Sequence, residues 1–281
     1  MQGILYIVGT PIGNLQDMTP RAEAVLREAD FIAAEDTRVT VKLLNHLGIK
    51  KEMVSYHKHN ERERAERILA RLESGEKCAL CSDAGLPAIS DPGEFLVKKA
   101  IEQNIAVVPL PGPNAALTAL CASGQDTMRF VFEGFLPQNK NARRERLTAL
   151  QKEERTMLFY EAPHKLHKTL LDLGEALGQE RSLTVCRELT KMHEEIVKTT
   201  LGKAEERYRE EKPRGEFVLV VAGAPAEHEA PRIELWQAAE RALSLAAELP
   251  ASEAARRAAA ESGHPKSAVY REMQRRKKTE P

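Results

Sequence analysis

The sequence predicts an α/β protein with a parallel-sheet first domain, a mixed-sheet second domain and a small helical module at its end. Through residue 110, short apolar runs alternate with helical patterns, as in a parallel and mostly buried sheet. In the second half some apolar runs follow one another with too little chain between them for a crossover helix, so those strands should pair antiparallel. After Ala224-Pro225-Ala226 and Pro231, which read as a linker, the remaining signals are helical. The expected boundaries give domains 1–123, 124–226 and 227–281, the first falling near Ser123-Gly124-Gln125-Asp126.

Taken in order, Ile4–Val8 is the first strand. Thr19 offers an N-cap and Pro20 a first-turn proline for a helix running to about Ala29. Phe31–Ala34 is a second strand and ends in Glu35-Asp36-Thr37-Arg38. There Thr37 is expected to cap a helix that carries Val41, Leu44 and Leu47 and stops at Gly48. Met53–Tyr56 is a third strand, and Asn60–Glu73 is a charged helix with Ala65, Ile68, Leu69 and Leu72 on one face. The short run Cys78–Cys81, flanked by Gly and Pro, is a fourth strand, followed by a helix over Glu94–Glu102 and a strand over Ala106–Leu110. Arg129–Phe135, Thr156–Tyr160, Leu183–Glu188, Glu195–Thr200 and Glu216–Val221 are the strands of the second half. From Leu249-Pro250-Ala251-Ser252 an alanine-rich helix runs to about Glu261. Ser262-Gly263-His264 then turns, and Pro265 opens another helix, in the manner of a helix-turn-helix.

Three loops stand out because each follows an apolar run, precedes a helix and is dense in turn residues: Gly9–Asn14, Ser82–Gly93 and Pro111–Ala116. In α/β proteins, loops at the carboxyl ends of strands are where ligands sit. None matches G-x-G-x-x-G or the P-loop pattern, and none contains Lys or Arg. The ligand they suggest is held by backbone groups and small side chains. The plainer alternative for Ser82–Gly93 is a tight turn capped by Ser90 or Asp91.

Lys plus Arg equals Asp plus Glu at 42 each, so any nucleic-acid contact must rest on local basic clusters. Residues 1–20 lack a basic and apolar leader pattern and no run approaches a membrane span, so a cytoplasmic protein with reduced thiols is expected. Cys78 and Cys81 form a C-x-x-C, yet on a strand they point to opposite faces, and no second pair completes a tetrahedral site. They read as buried structural thiols. His57 with His59, and His164 with His167, lack a third ligand nearby, and no metal is assigned.

In serial order the chain carries GTPIGNLQDMT, AEDTR, SDAGLPAISDPG, PLPGPNAA, EGFLP, FYEAPHKL, RELTKMHEE and GEFVLVV. Over about residues 1–223 it resembles the ribosomal RNA small-subunit methyltransferase I family, within the tetrapyrrole-methylase-like (class III) S-adenosylmethionine-dependent methyltransferases. The resemblance implies two α/β domains of the tetrapyrrole-methylase-like fold with the methyl donor in the cleft between them. It also implies a homodimer, and methylation of the ribose 2′-oxygen of a decoding-centre cytidine in 16S rRNA. Two positions depart from the family pattern, Leu86 where Thr is usual and Asn114 where Ser is usual. Leu86 removes a hydroxyl beside the donor, whereas Asn114 keeps a polar group for donor or backbone.

By analogy with that fold, Thr10, Pro11, Asp83, Gly85, Leu86, Asn114 and Ala115 should line the donor pocket, with Pro111 and Gly112 setting its shape. Turn geometry for the glycines and prolines, and capping for Asp83, are the alternatives. The acceptor hydroxyl is a weak acid that a base would help. Candidates are Glu35, Asp36, Glu161, Glu188 and Glu194, with Arg38, Arg187 and Lys191 placed to hold phosphate. A helix-start charge cluster at residues 35–38 and an internal ion pair at Arg187-Glu188 are equally open.

RNA contact is expected at the basic stretch Asn139–Arg146, including Arg143 and Arg144, and in the final module, where residues 250–281 hold eight Lys or Arg against four Asp or Glu. For Arg275–Lys278 a solvated basic tail is the alternative. Two other functions compete: methylation of a tetrapyrrole-like small molecule, and a ligand-sensing DNA-binding regulator. The latter has poor support, because only Lys266 and Arg271 lie along the early turns of its recognition helix.

Overall fold

A computed structural model describes residues 2–211, 213–225 and 234–277, and the chain divides into two compact units, Met1–Ala224 and Pro225–Pro281. Both sheets belong to the first unit. β1 (Ile4–Val8), β2 (Phe31–Ala34), β3 (Glu52–Ser55), β4 (Lys77–Cys81) and β5 (Ala106–Leu110) form a parallel sheet in the order β3-β2-β4-β1-β5. The strands β2 and β4 read as unbroken apolar runs because helices cover both faces. α3 (Glu61–Glu73) and α4 (Glu94–Glu102) close one face over Leu5, Phe31, Cys78 and Leu80. α1 (Pro20–Glu28) and α2 (Thr37–His46) close the other over Val8, Ile32, Ala79 and Cys81. Cys78 and Cys81 therefore lie in different cores. Burial pushes both thiols up, that of Cys81 to about 12.

The second sheet has the order β6-β7-β10-β8-β9, from β6 (Phe130–Gly134), β7 (Thr156–Glu161), β8 (Ser182–Arg187), β9 (Glu195–Thr200) and β10 (Phe217–Val221). β6 and β7 are parallel, with α6 (Lys140–Leu150) between them in sequence; every other pairing is antiparallel, including the closely spaced β8 and β9. α5 (Ala115–Ser123), which leaves the first sheet after β5, packs Ala116, Ala119 and Leu120 on Leu158, Cys186, Val218 and Val220 of the second sheet. The opposite face holds the larger core, covered by α6, α7 (Leu166–Leu177) and α8 (Leu201–Glu210). One helix thus ties the two sheets together, and its first residues sit where both meet.

Two capping expectations change. Asp36, not Thr37, caps α2: its carboxylate accepts the Arg38 N–H at 2.8 Å, while Thr37 already has its place in the first turn. Neither Ser90 nor Asp91 caps α4. Gly93 takes that position at φ +143°, a conformation only glycine adopts without strain.

In the second unit α9 (Leu235–Leu245), α10 (Ala251–Ser262) and α11 (Lys266–Lys277) bury Ala238, Ala239, Ala242, Ala255, Ala258, Val269 and Met273 among themselves. Gly263 ends α10 in the left-handed conformation at φ +72°, as its place in the anticipated turn requires. The helix α9 was not anticipated. Ala226 and Pro231 of the expected linker, and Lys278, lie outside the described residues. No described helix is long and apolar enough to cross a membrane.

A methyl group added at Gly93 would lie 2.9 Å from Leu80 Cδ2 and 3.1 Å from Ala88 Cβ, in backbone that disfavours any side chain. Gly93→Ala is therefore expected to destabilise the first unit by about 1–3 kcal/mol, read as a lower urea midpoint with unchanged slope. An unshifted midpoint would contradict this.

Candidate active site

The outgoing connections of β1 and β4 leave these neighbouring strands in opposite directions, β1 towards β2 and β4 towards β5. Each passes the other strand, but α1 and α4 lie on opposite faces of the sheet, and connections leaving to opposite faces open a crevice at the carboxyl ends of the strands. Here the loops cross it. The Thr10 and Gly85 amides donate to each other's carbonyl oxygens at 2.9 and 3.0 Å, and the buried Thr10 hydroxyl donates to Ser82 O at 3.1 Å. Gly9 and Gly112 touch backbone to backbone, so that a Cβ at Gly9 would sit 3.1 Å from Gly112 Cα. The three turn-rich loops therefore share one base, and two cavities flank it.

The larger cavity, about 380 Å³, opens between the two sheets. Its wall contains Glu35, Asp83, Gly85, Leu86, Asn114, Ala115 and Glu161 of the anticipated residues. Ile12, Ile89, Asp91, Tyr160, Glu216 and Val218 complete much of the rest. A smaller cavity of about 270 Å³ lies beside it and takes in Thr10, Pro11 and, again, Asp83. Pro111 and Gly112 line neither; Gly112 acts through its contact with Gly9. The Asn114 side chain caps α5 by accepting the Leu117 N–H at 2.9 Å, so of the two partners anticipated for it the backbone is the one engaged.

Three carboxylates at the larger cavity are held above their ordinary range. Asp91 rises to about 6, chiefly through burial and next through the charge of Glu35, against a hydrogen bond from Ser82 and the charge of Lys58. Glu35 rises through burial, opposed by the Asp83 N–H that it accepts at 3.3 Å. Burial also lifts Asp83, whose Oδ1 accepts the Asp36 N–H at 3.1 Å. Lys58 donates to Ser90 O at 3.2 Å and is the nearby cation. Opposite, the Tyr160 hydroxyl accepts the Ala116 N–H at 3.3 Å and packs edge-on against Phe132 and Phe135. Glu161 spends both oxygens internally, accepting from the Ala162 N–H at 2.8 Å and the Thr169 hydroxyl at 2.5 Å.

The remaining candidates line neither cavity, and all but Glu194 form ion pairs. Arg38, with its side chain 88 % exposed, pairs with Asp36 at 2.6 Å, which holds that carboxyl down at about 2. Glu188, at φ +51°, accepts the Glu216 N–H at 2.9 Å and meets Lys191 Nζ at 2.8 Å. Lys191 also reaches Glu216 at 3.1 Å, and its stem lies against Gly13, where a Cβ would be 2.4 Å from Lys191 Cγ. This cluster links the first loop to Glu216 in the cavity wall. Arg187 pairs with Glu195 and donates to Arg214 O, while Glu194 accepts the Thr190 N–H at 2.6 Å. The basic stretch 139–146 is less available than its composition suggests. Arg143 is bound by Asp172 at 2.6 Å and Arg146 by Glu133 at 2.5 Å, leaving Arg144 and Lys140 exposed.

An apolar cavity with a cluster of desolvated carboxylates favours a ligand that is flat in one part and cationic in another. Glu216 and Val218 reach it from β10 and its approach, and Tyr160 from β7; they lie within the GEFVLVV and FYEAPHKL motifs, but nothing in their residue type marks them as site residues. Asp91 lies in the turn-rich loop itself.

Residues 4–205 match the tetrapyrrole (corrin/porphyrin) methylases. A ribosomal RNA small subunit methyltransferase I from Synechocystis sp. is 51 % identical over 269 residues, covering 95 % of this chain and 96 % of that protein. Another from Xylella fastidiosa is 48 % identical over 271 residues, covering 95 % and 98 %. Among solved structures, the methyltransferase CobJ superposes with a TM-score of 0.61 at 20 % identity, covering 80 % of this chain and 95 % of that one, a likeness of fold alone. With half of its residues shared over nearly its whole length, the chain belongs to the ribosomal RNA small subunit methyltransferase I family of the tetrapyrrole methylases.

Proposed function

We propose that this protein transfers a methyl group from S-adenosylmethionine to the ribose 2′-oxygen of a decoding-centre cytidine in 16S rRNA, acting in the cytoplasm as a homodimer. The observation that carries the reading is the shared name of its relatives at 45–51 % identity, since their similarity spans the loops that build both cavities. The donor suits the larger cavity. Its volume, about 380 Å³, falls in the range of cofactor sites. Ile12, Leu86, Ile89 and Val218 offer apolar walls for a base, and Glu35, Asp83 and Asp91 offer carboxylates to ribose hydroxyls and to a cation.

When bound, S-adenosylmethionine supplies a methyl carbon made reactive by its sulfonium leaving group. The protein's part is position and field. Orienting the reacting atoms in line is worth on the order of 7–11 kcal/mol in favourable systems. As the ribose oxygen bonds to carbon, positive charge grows on that oxygen and its proton must leave. Asp83, lifted by burial, is the carboxylate that receives it, and Glu35, which accepts the Asp83 N–H, positions that residue. Glu188 and Lys191 are positioning residues that steady Glu216 and the first loop, Arg187 holds the approach to β10 through Arg214 O, and Arg38 meets the RNA from outside. Thr10, Pro111 and Gly112 fix the loop base on which Pro11, Gly85, Leu86, Asn114 and Ala115 are presented.

Purified protein with radiolabelled donor and small subunits lacking decoding-centre ribose methylation should place label on one cytidine 2′-oxygen, mapped by nuclease digestion. Asp83→Asn should lower the rate by about 10²-fold or more, and Glu188→Gln by about tenfold or less. Donor binding without label on RNA would turn the reading towards a small-molecule methylase.

Donor affinity should also depend on pH in a definite direction. Asp91 is ionised above about 6 and neutral below it, so attraction for a cation is lost as pH falls through that value. Calorimetry should show affinity dropping about threefold to tenfold between pH 7 and pH 5, and Asp91→Asn should flatten the profile. An equally steep profile in Asp91→Asn would assign the titration elsewhere.

A further inference from the structure

We infer that the smaller cavity receives the acceptor nucleoside of the RNA, turned out of its strand, with Asp83 as the wall between acceptor and methyl donor. The inference deepens the proposed function and rests on it. The cavity, about 270 Å³, is built from the loop after β1, from α2 and from the loop after β4, all at the carboxyl ends of neighbouring strands. Its apolar side chains are Pro11 and Leu15 from the loop after β1 and Val39 and Leu43 from α2, set among Thr10, Thr40, Lys42, Ser82 and Asp83.

Two of these are conspicuous for being uncovered. Leu15 is 45 % exposed and Val39 38 % exposed, and both line this cavity. Scattered apolar residues on a surface need no explanation, but two exposed apolar side chains lining one concavity mark a place that a ligand covers. A nucleobase slipped between apolar side chains is how enzymes hold a nucleotide taken from its stack. Lys42 also lines the cavity, is exposed, and lies one helical turn after Arg38 on α2. Lys42 at the cavity, with the Asp36-paired Arg38 one turn before it on the same helix, suits a phosphate beside the inserted nucleoside. A tetrapyrrole is much too large for a cavity of this volume.

Asp83 supplies the link to chemistry. It lines both cavities, so one residue bearing a carboxylate borders the donor side and the acceptor side. In the transfer the oxygen–carbon bond forms as the carbon–sulfur bond breaks, and positive charge moves from sulfur to oxygen before the hydroxyl proton passes to a carboxylate. A group between the two positions follows that movement without rearrangement. Thr10 pins the partition from behind through Ser82 O.

Val39→Trp fills the opening from an exposed position, and Lys42→Ala removes the rim cation without touching the core. Initial rates would be measured over a range of small-subunit concentrations at saturating donor, with donor affinity measured separately by calorimetry. Val39→Trp is expected to lower kcat/KM for the subunit at least tenfold while donor affinity stays within twofold. Lys42→Ala should raise KM for the subunit several-fold and leave kcat close to that of the unaltered protein. Unchanged subunit kinetics in Val39→Trp would overturn the assignment. So would a fall in donor affinity matching the fall in rate, which would give the cavity to the donor. If the unaltered protein binds donor but labels no rRNA, the functional reading itself fails, and the assignment with it; that outcome is seen before any variant is made.

Discussion

Contact between backbones at the loop base is the constraint on which the rest depends. Gly9 meets Gly112, and Thr10 meets Gly85, with no side chain between the paired segments. Small residues are what allow three strand ends to deliver their loops to one place. Once they are joined there, the later residues of each loop must diverge, and the divergence makes the two cavities. The helix α5, which starts just beyond Gly112, then carries the chain onto the second sheet, so the site gains a far wall from strands of that sheet.

Electrostatics follow from that geometry. Glu35, just after β2, and Asp83 and Asp91, both in the loop after β4, are drawn together in a partly buried place with one nearby lysine, Lys58. Leaving carboxylates uncompensated costs stability, and burial drives each towards its protonated form. Such clusters occur where function needs a field. A cationic ligand would relieve much of the cost, so binding and the tolerance of this cluster are two aspects of the same arrangement. The ion-paired group of Glu188, Lys191 and Glu216 contrasts with it, since there each charge has a partner inside the protein.

All five strands of the first sheet were legible because each is an apolar run bounded by Gly, Pro or a charged turn, and the closely spaced β8 and β9 announced their antiparallel pairing through chain length alone. Their order within a sheet was not legible, being fixed by packing between distant segments. Asp36 displaced Thr37 as a cap because both residue types suit the position and only the backbone geometry chooses between them. Arg143 and Arg146 looked available for RNA because their partners, Asp172 and Glu133, lie 29 and 13 residues away in sequence. Asp91 was visible only as a turn residue. Its neighbours Glu35 and Lys58 arrive from other strands, and it is their approach that raises its affinity for a proton.

Of the four cysteines, Cys78, Cys81 and Cys186 are buried and Cys121 is exposed. Burial holds the first three as protonated thiols, which react slowly with alkylating reagents. Cys121 stands on α5, two turns after the residues that edge the larger cavity. A maleimide dye would therefore attach selectively at that position in the natural sequence. Its emission would report on the helix joining the two sheets, giving an optical record of how the joint responds as the cleft fills.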